Sequence, residues 1–233
     1  MKLTAVQKFT LLDYPGKVAC IAFTPGCDLR CGFCHNAEFV LPERLKAIAG
    51  SFIEEANFFA FLERRRGLLE GVVVSGGEPT LWPDLPEFLA RIRSMGFAVK
   101  LDSNGNNPKM LRKLLSRGLV DFIAMDVKTS LEEYPGLVGR GVKPEHIVES
   151  IQLIRESGIE HEFRTTLIRE HHTETVLHSL DQLLAGAHRI SLQRFRPEQT
   201  LSPAFAAFHP FSEEEMGLIA DQLRSPERRV SIR

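Results

Sequence analysis

The chain has 233 residues, 43% of them apolar and 25% charged, with a formal net charge of −1. That length suits one domain, or two small ones, around a sizeable core, and with the balanced charge nothing argues for non-specific nucleic-acid binding. No apolar run reaches the length of a membrane span, and Met1–Thr10 lacks the apolar core of a signal peptide, so a cytoplasmic, reducing compartment is expected.

Residues 1–16 read as a lead-in ending in the turn Tyr14-Pro15-Gly16. A first strand is predicted over about 17–23, and its end runs straight into a cysteine-rich loop. Helix one is expected from a capping box, Ser51 to Glu54, as far as Arg66 and Gly67. Strand two is Gly71–Ser75, a continuous apolar run of the kind buried on both faces. Helix two starts near Asp84 and stops before Gly96; strand three is Phe97–Asp102. Helix three opens on Asn107-Pro108, a cap followed by proline at the first helical position, and ends at Gly118. Strand four (Asp121–Val127), helix four (about 144–158), strand five (Glu160–Leu167), helix five (about 173–185) and strand six (Arg189–Phe195) continue the pattern. A last helix opens on the capping box of Ser212 and Glu215, and the tail from Arg228 reads as a short edge strand. Six strand–helix units argue for a parallel α/β sheet, either open and doubly wound or curved into a partial barrel, with ligands at the C-terminal strand ends.

Chemistry-bearing residues fall at those ends. Three of the four cysteines lie within Cys27-Asp28-Leu29-Arg30-Cys31-Gly32-Phe33-Cys34-His35-Asn36. Clustered thiolates are soft ligands that suit zinc, copper or an iron–sulfur centre. A zinc knuckle would use Cys27, Cys31, Cys34 and His35, although adjacent Cys34 and His35 are awkward tetrahedral ligands. Three cysteines on a 4Fe–4S cluster would instead leave one iron open to a small molecule. Cys20, inside an apolar strand, reads as a small buried hydrophobe. Strand two ends in Ser75-Gly76-Gly77-Glu78-Pro79-Thr80, where paired glycines allow close backbone approach. Strand three ends in Asp102-Ser103-Asn104-Gly105 and strand four in Met125-Asp126-Val127-Lys128, while strand five carries Arg164, which needs a partner in a buried sheet. The pair His171-His172 reads as solvated, and Arg64-Arg65-Arg66 as a cationic helix end, with docking of an acidic electron donor as the other reading. Phe52, Phe58, Phe59 and Phe61 read as core and lid contacts.

The loop, with Phe33 between its last cysteines and His35-Asn36 after them, resembles the signature of radical S-adenosylmethionine (SAM) enzymes, in the version of the activating enzymes of glycyl radical enzymes. The likeness extends to Asp13-Tyr14-Pro15-Gly16-Lys17, Gly76-Gly77-Glu78-Pro79-Thr80 and Arg196-Pro197-Glu198-Gln199-Thr200-Leu201. It selects a partial (β/α)6 TIM-like barrel of the radical SAM type: one domain over 1–233, with its core at about 17–200 and a C-terminal helix and tail at 201–233. It implies a 4Fe–4S cluster on Cys27, Cys31 and Cys34. It also implies SAM held by Phe33, His35, Gly76, Gly77, Glu78, Asp102, Ser103, Asp126, Lys128 and Arg164, with Gln193 a stand-in for a histidine that the pyruvate formate-lyase activators carry near strand six. It admits a monovalent cation at Asp102, Ser103 and Asp126. Beyond the cluster and SAM, no catalytic side chain is implied.

The chemistry so implied is one-electron cleavage of SAM to methionine and a 5′-deoxyadenosyl radical, which takes hydrogen from a glycine of a protein partner. The resemblance is strongest to activators of anaerobic ribonucleoside-triphosphate reductase, with flavodoxin or ferredoxin as electron donor and no nucleic acid or membrane as partner. The alternatives are an activator of the pyruvate formate-lyase type, a small-molecule enzyme such as a 7-carboxy-7-deazaguanine synthase, and a non-enzymatic zinc module.

Overall fold

The computed structural model describes residues 1–139, 141–198 and 200–233; Gln199 of the tail motif lies outside the described residues. The chain divides into two compact units.

The first unit comprises Met1–Asp28, Glu38–Ser103 and Asn107–Ile123. Its strands are β1 (Lys2–Leu3), β2 (Ala5–Thr10), β3 (Ala19–Thr24), β4 (Ile53–Glu54), β5 (Gly71–Gly76) and β6 (Ala98–Ser103). β3, β5 and β6 pair in parallel, β2 runs antiparallel along β3, and β1 pairs antiparallel with β4. The lead-in is therefore strand, not coil. Val72, Val73 and Val74 are wholly buried, as a strand covered on both faces requires. Behind Gly71 lies the Tyr14 ring: a Cβ there would stand 2.9 Å from its Cδ1.

Helices α1 (Ala37–Val40) and α2 (Pro42–Ile48) follow the cysteine loop, then α3 (Glu55–Glu63), α4 (Leu85–Ser94) and α5 (Pro108–Ser116). Phe58 and Phe59 of α3 pack on Phe88 of α4 with ring centroids 5.6 and 5.3 Å apart, which makes them core. The expected capping box at Ser51 does not form. Its hydroxyl donates back to the Ile48 carbonyl, 2.8 Å away, Ile53–Glu54 is drawn into pairing with β1, and the helix starts later. The Asn107 cap does form, accepting from the Met110 N–H at 3.2 Å.

The second unit comprises Leu29–Ala37, Asn104–Asn106 and Ala124–Arg233. β7 (Phe122–Asp126) begins in the first unit and ends in this one. It is followed by α6 (Tyr134–Val138), α7 (Pro144–Glu156), β8 (Glu160–Leu167), α8 (Glu174–Leu183), β9 (Arg189–Arg194), α9 (Glu213–Leu223) and β10 (Arg229–Ile232). β8, β9 and β10 are parallel neighbours, so the tail is an edge strand as expected. The capping box of Ser212 and Glu215 starts α9 with both of its bonds in place. The class is α/β with mostly parallel pairing.

Candidate active site

In the first unit, the loop after β5 locks onto the root of the cysteine loop. The Gly77 N–H donates to the Thr24 carbonyl at 2.8 Å, and the Glu78 N–H to the Gly26 carbonyl at 2.7 Å. The two glycines make this possible. A Cβ on Gly77 would sit 1.9 Å from the Gly26 oxygen, and one on Gly76, whose φ is +118°, would sit 2.3 Å from the Thr24 nitrogen. The close approach these glycines allow is thus to the chain's own backbone, one residue before Cys27.

Glu78 turns inward and is 1% exposed. Its Oε1 accepts from the Thr80 N–H (3.1 Å), the Thr80 hydroxyl (2.5 Å) and the Ser103 hydroxyl (2.9 Å), which joins the ends of β5 and β6. A buried carboxylate needs such donors. Asp102 takes the Ser75 hydroxyl on Oδ2 at 3.0 Å and the ammonium of Lys100 on Oδ1. Cys27 is half-buried, its thiol facing the Asp28 carboxylate at 3.8 Å.

In the second unit, the end of β7 and the middle of β8 build a charge cluster. Asp126 at the end of β7 accepts from Lys128 Nζ at 2.8 Å and from Arg164 Nε at 2.7 Å. Burial alone would raise the Asp126 carboxyl; the Arg164 and Lys128 charges overcome it and hold the group well below the usual carboxylate range. Burial would likewise lower the Lys128 ammonium, but Asp126, with Cys31 beside it, keeps it raised and charged. Lys128 Nζ lies 5.7 Å from the centroid of the Phe33 ring, which brings the cation against the cysteine loop. Burial pushes the Cys31 thiol up to about 11 and raises Cys34 as well, with Lys128 acting the other way on both. His35 bonds through Nε2 to the Arg196 carbonyl at 3.2 Å, tying the loop to the segment after β9. Gln193 accepts from Thr166 at 3.2 Å on neighbouring β8.

The structure thus gathers Gly76, Gly77, Glu78, Asp102 and Ser103 within one unit. Within the other it gathers Cys31, Phe33, Cys34, Asp126, Lys128 and Arg164. It also adds supports that the sequence reading overlooked. The Lys128 N–H donates to the Tyr134 hydroxyl at 2.9 Å. His172 corrects the expectation of a solvated pair: it is 1% exposed, its Nδ1 faces the Ile168 N–H at 3.0 Å, and its Nε2 faces the Lys128 carbonyl at 3.0 Å. Its neutral tautomer satisfies both bonds, with Nε2–H as donor. His171 stacks on Phe205, whose ring packs against Phe33 and leaves no room for a side chain at Gly32. Lys100 was legible in principle, since it lies two residues before Asp102 on the same strand face.

The donor set fits an iron–sulfur centre. Cys27, Cys31 and Cys34 share one loop, none is in a disulfide, and a fixed cation stands beside the latter two. Among the described residues, no three of His, Cys, Asp and Glu stand as a set around a single ion.

Comparison with known proteins agrees. A Methanocaldococcus jannaschii protein provisionally named as a glycyl-radical enzyme activating enzyme is 28% identical over 92% of this chain and 88% of its own. The 7-carboxy-7-deazaguanine synthase of Thermococcus kodakarensis is 26% identical over 82% of this chain and 80% of its own. Among solved structures, QueE from Escherichia coli matches with a TM-score of 0.59 at 17% identity, over 100% of this chain and 93% of that one, which shows a shared fold. The Radical SAM superfamily profile matches residues 21–183, from β3 and the cysteine loop through β8 to the end of α8, and the chain therefore belongs to that superfamily.

Proposed function

We propose that this protein uses SAM to generate a glycyl radical on a partner enzyme, and that the partner is anaerobic ribonucleoside-triphosphate reductase. Membership of the superfamily makes the chain a radical SAM enzyme with a 4Fe–4S cluster and SAM as cofactors. The observation that carries the activase reading is the likeness to the M. jannaschii protein, which runs over 92% of this chain. The His35-Asn36 end of the loop and the Asp13–Lys17 lead-in support it.

In this reading Cys27, Cys31 and Cys34 hold the cluster. When bound, the cluster supplies a low-potential electron and SAM the hydrogen-abstracting group. The rest falls to this chain's side chains. Glu78, fixed by Thr80 and Ser103, sets the loop after β5. Asp126, Lys128 and Arg164 form a fixed array of charges at the end of β7 and within β8, oriented before any ligand arrives. Lys128 lies over the Phe33 ring, beside the buried Cys31. The electron donor is a flavodoxin or ferredoxin, the setting is cytoplasmic, and neither nucleic acid nor membrane takes part. Among the described residues no helix is long and apolar enough to cross a membrane.

The test is anaerobic reconstitution with iron and sulfide, reduction with dithionite and assay of 5′-deoxyadenosine after SAM addition. Product that disappears in Cys31→Ala supports the enzyme reading; stoichiometric zinc without iron uptake overturns it. The T. kodakarensis relative favours a second reading, action on a small molecule. A peptide carrying the partner's glycine loop and a purified metabolite, offered in parallel, separate the two.

A further inference from the structure

Lys100 is an ammonium in the wrong place for an ordinary lysine. It lies within β6 and is 1% exposed. A charge buried to that degree is costly unless another charge answers it at short range. Two residues on, and so on the same face of the strand, Asp102 answers it: Lys100 Nζ donates to Asp102 Oδ1. The Phe122 ring centroid lies 5.8 Å from the same nitrogen and adds a second, weaker attraction. Asp102 is held from its other side by the Ser75 hydroxyl on Oδ2 at 3.0 Å. The hydroxyl of Ser103 donates to Glu78, 2.9 Å away.

A dissolved monovalent cation binds through oxygen ligands, of which a carboxylate is the strongest. At Asp102 that carboxylate already carries a cation built into the chain. The same holds separately at Asp126, where Lys128 and Arg164 occupy both oxygens. These residues therefore do not fit the monovalent cation that the family resemblance admits.

We infer that Lys100 is a positioning residue that supplies the counter-charge of Asp102 from within the strand, so that SAM binding here proceeds without Na⁺ or K⁺. This rests on the reading of Asp102 as part of the SAM site. Removing the ammonium by Lys100→Ala leaves Asp102 and Ser75 facing a space in which a small cation can take its place.

The experiment uses the cluster-loaded protein in KCl, NaCl or choline chloride at equal ionic strength, so that screening is constant. SAM affinity is read by equilibrium dialysis and the thermal midpoint by circular dichroism. The wild type is expected to show the same affinity within about two-fold in all three salts, whereas Lys100→Ala loses about ten-fold in choline chloride, as a lost charged hydrogen bond predicts. K⁺ or methylammonium then restores the variant's affinity and midpoint, a rescue that a merely structural lysine would not give. A wild-type affinity or midpoint that rises with K⁺ over choline overturns the inference, as does a variant that folds and ignores both cations. Should Lys100→Ala fail to fold, the wild-type salt comparison decides alone. Failure of the SAM reading looks different: no SAM binding in any salt, while the midpoints of wild type and variant still report on Lys100.

Discussion

At the scale of single residues, Asp126 has the largest expected effect. It is the anion shared by Lys128 and Arg164, whose side chains are 14% and 12% exposed against 23% for its own. Asp126→Asn would strand two mostly buried cations, which costs about 3–5 kcal/mol by precedent for broken buried pairs. Urea denaturation of the unloaded protein should read that loss, and SAM binding should fall with it. The folded carboxyl titrates below its unfolded value, so its contribution is fully present above the ordinary aspartate range and is lost progressively as pH falls from that range through the depressed value. His172 works at milder pH and with a different group. Burial lowers its pKa, so the fold keeps it neutral where the unfolded chain takes up a proton. Between its ordinary value, about 6.5, and its lower folded value, the unfolded state binds more protons and stability falls with falling pH, by up to about 1.4 kcal/mol per unit. His35 and His161 are shifted in the same direction and add to the wild-type slope. The difference between wild type and His172→Gln isolates His172: the variant is expected to be less stable at neutral pH and to show a shallower loss below it. Parallel slopes would show that His172 does not titrate with folding.

At the scale of elements, the decisive joint is the one between the end of β3 and the loop after β5. Gly77→Ala would place a methyl carbon 1.9 Å from the Gly26 oxygen, with the Thr24 and Gly26 hydrogen bonds on either side to hold the backbone in place. Something must shift, and the neighbour of Cys27 is what can. The expected cost is about 1–3 kcal/mol for overpacking a tight site. Iron content per chain after reconstitution should fall with it, while Gly217→Ala, at a helical position with open space around it, should load normally. Elements with local signals were legible in the sequence. Asn107-Pro108 and the Ser212 box mark helix starts because the cap bonds reach only three residues ahead. β1, β4 and the later start of α3 were not legible. They depend on Lys2 and Leu3 meeting Glu54 and Ile53 across half a hundred residues, a tertiary pairing that overrides the local box at Ser51. The antiparallel β2 was missed for the same reason: its partner in the register, not its own alternation, makes it a strand.

At the scale of the whole molecule, the candidate site residues were picked out in the sequence because most stand at or just after the C-terminal end of a strand, where an α/β sheet keeps its ligands, Arg164 within β8 being the exception. Their pairings could not be. Whether Lys128 meets Asp126 or solvent, and whether Arg164 reaches the same carboxylate, depends on side-chain packing across separate strands. Nor does membership of the superfamily name the substrate, since a family does not fix one. The two relatives, one provisionally named as a glycyl-radical enzyme activating enzyme and the other a 7-carboxy-7-deazaguanine synthase, cover 92% and 82% of this chain, so coverage alone does not separate them. The product of SAM cleavage can. If the hydrogen that completes 5′-deoxyadenosine comes from a partner glycine, a reductase grown on α-deuterated glycine will pass deuterium into the product, and the unlabelled reductase will gain the electron paramagnetic resonance doublet of a glycyl radical, which narrows to a singlet in the deuterated one. We expect both signals with the reductase and neither with a reductase whose radical-site glycine is replaced by alanine. Deuterium-free product at an unchanged rate, together with turnover of a purified metabolite, would transfer the protein to the small-molecule branch while leaving its cluster chemistry intact.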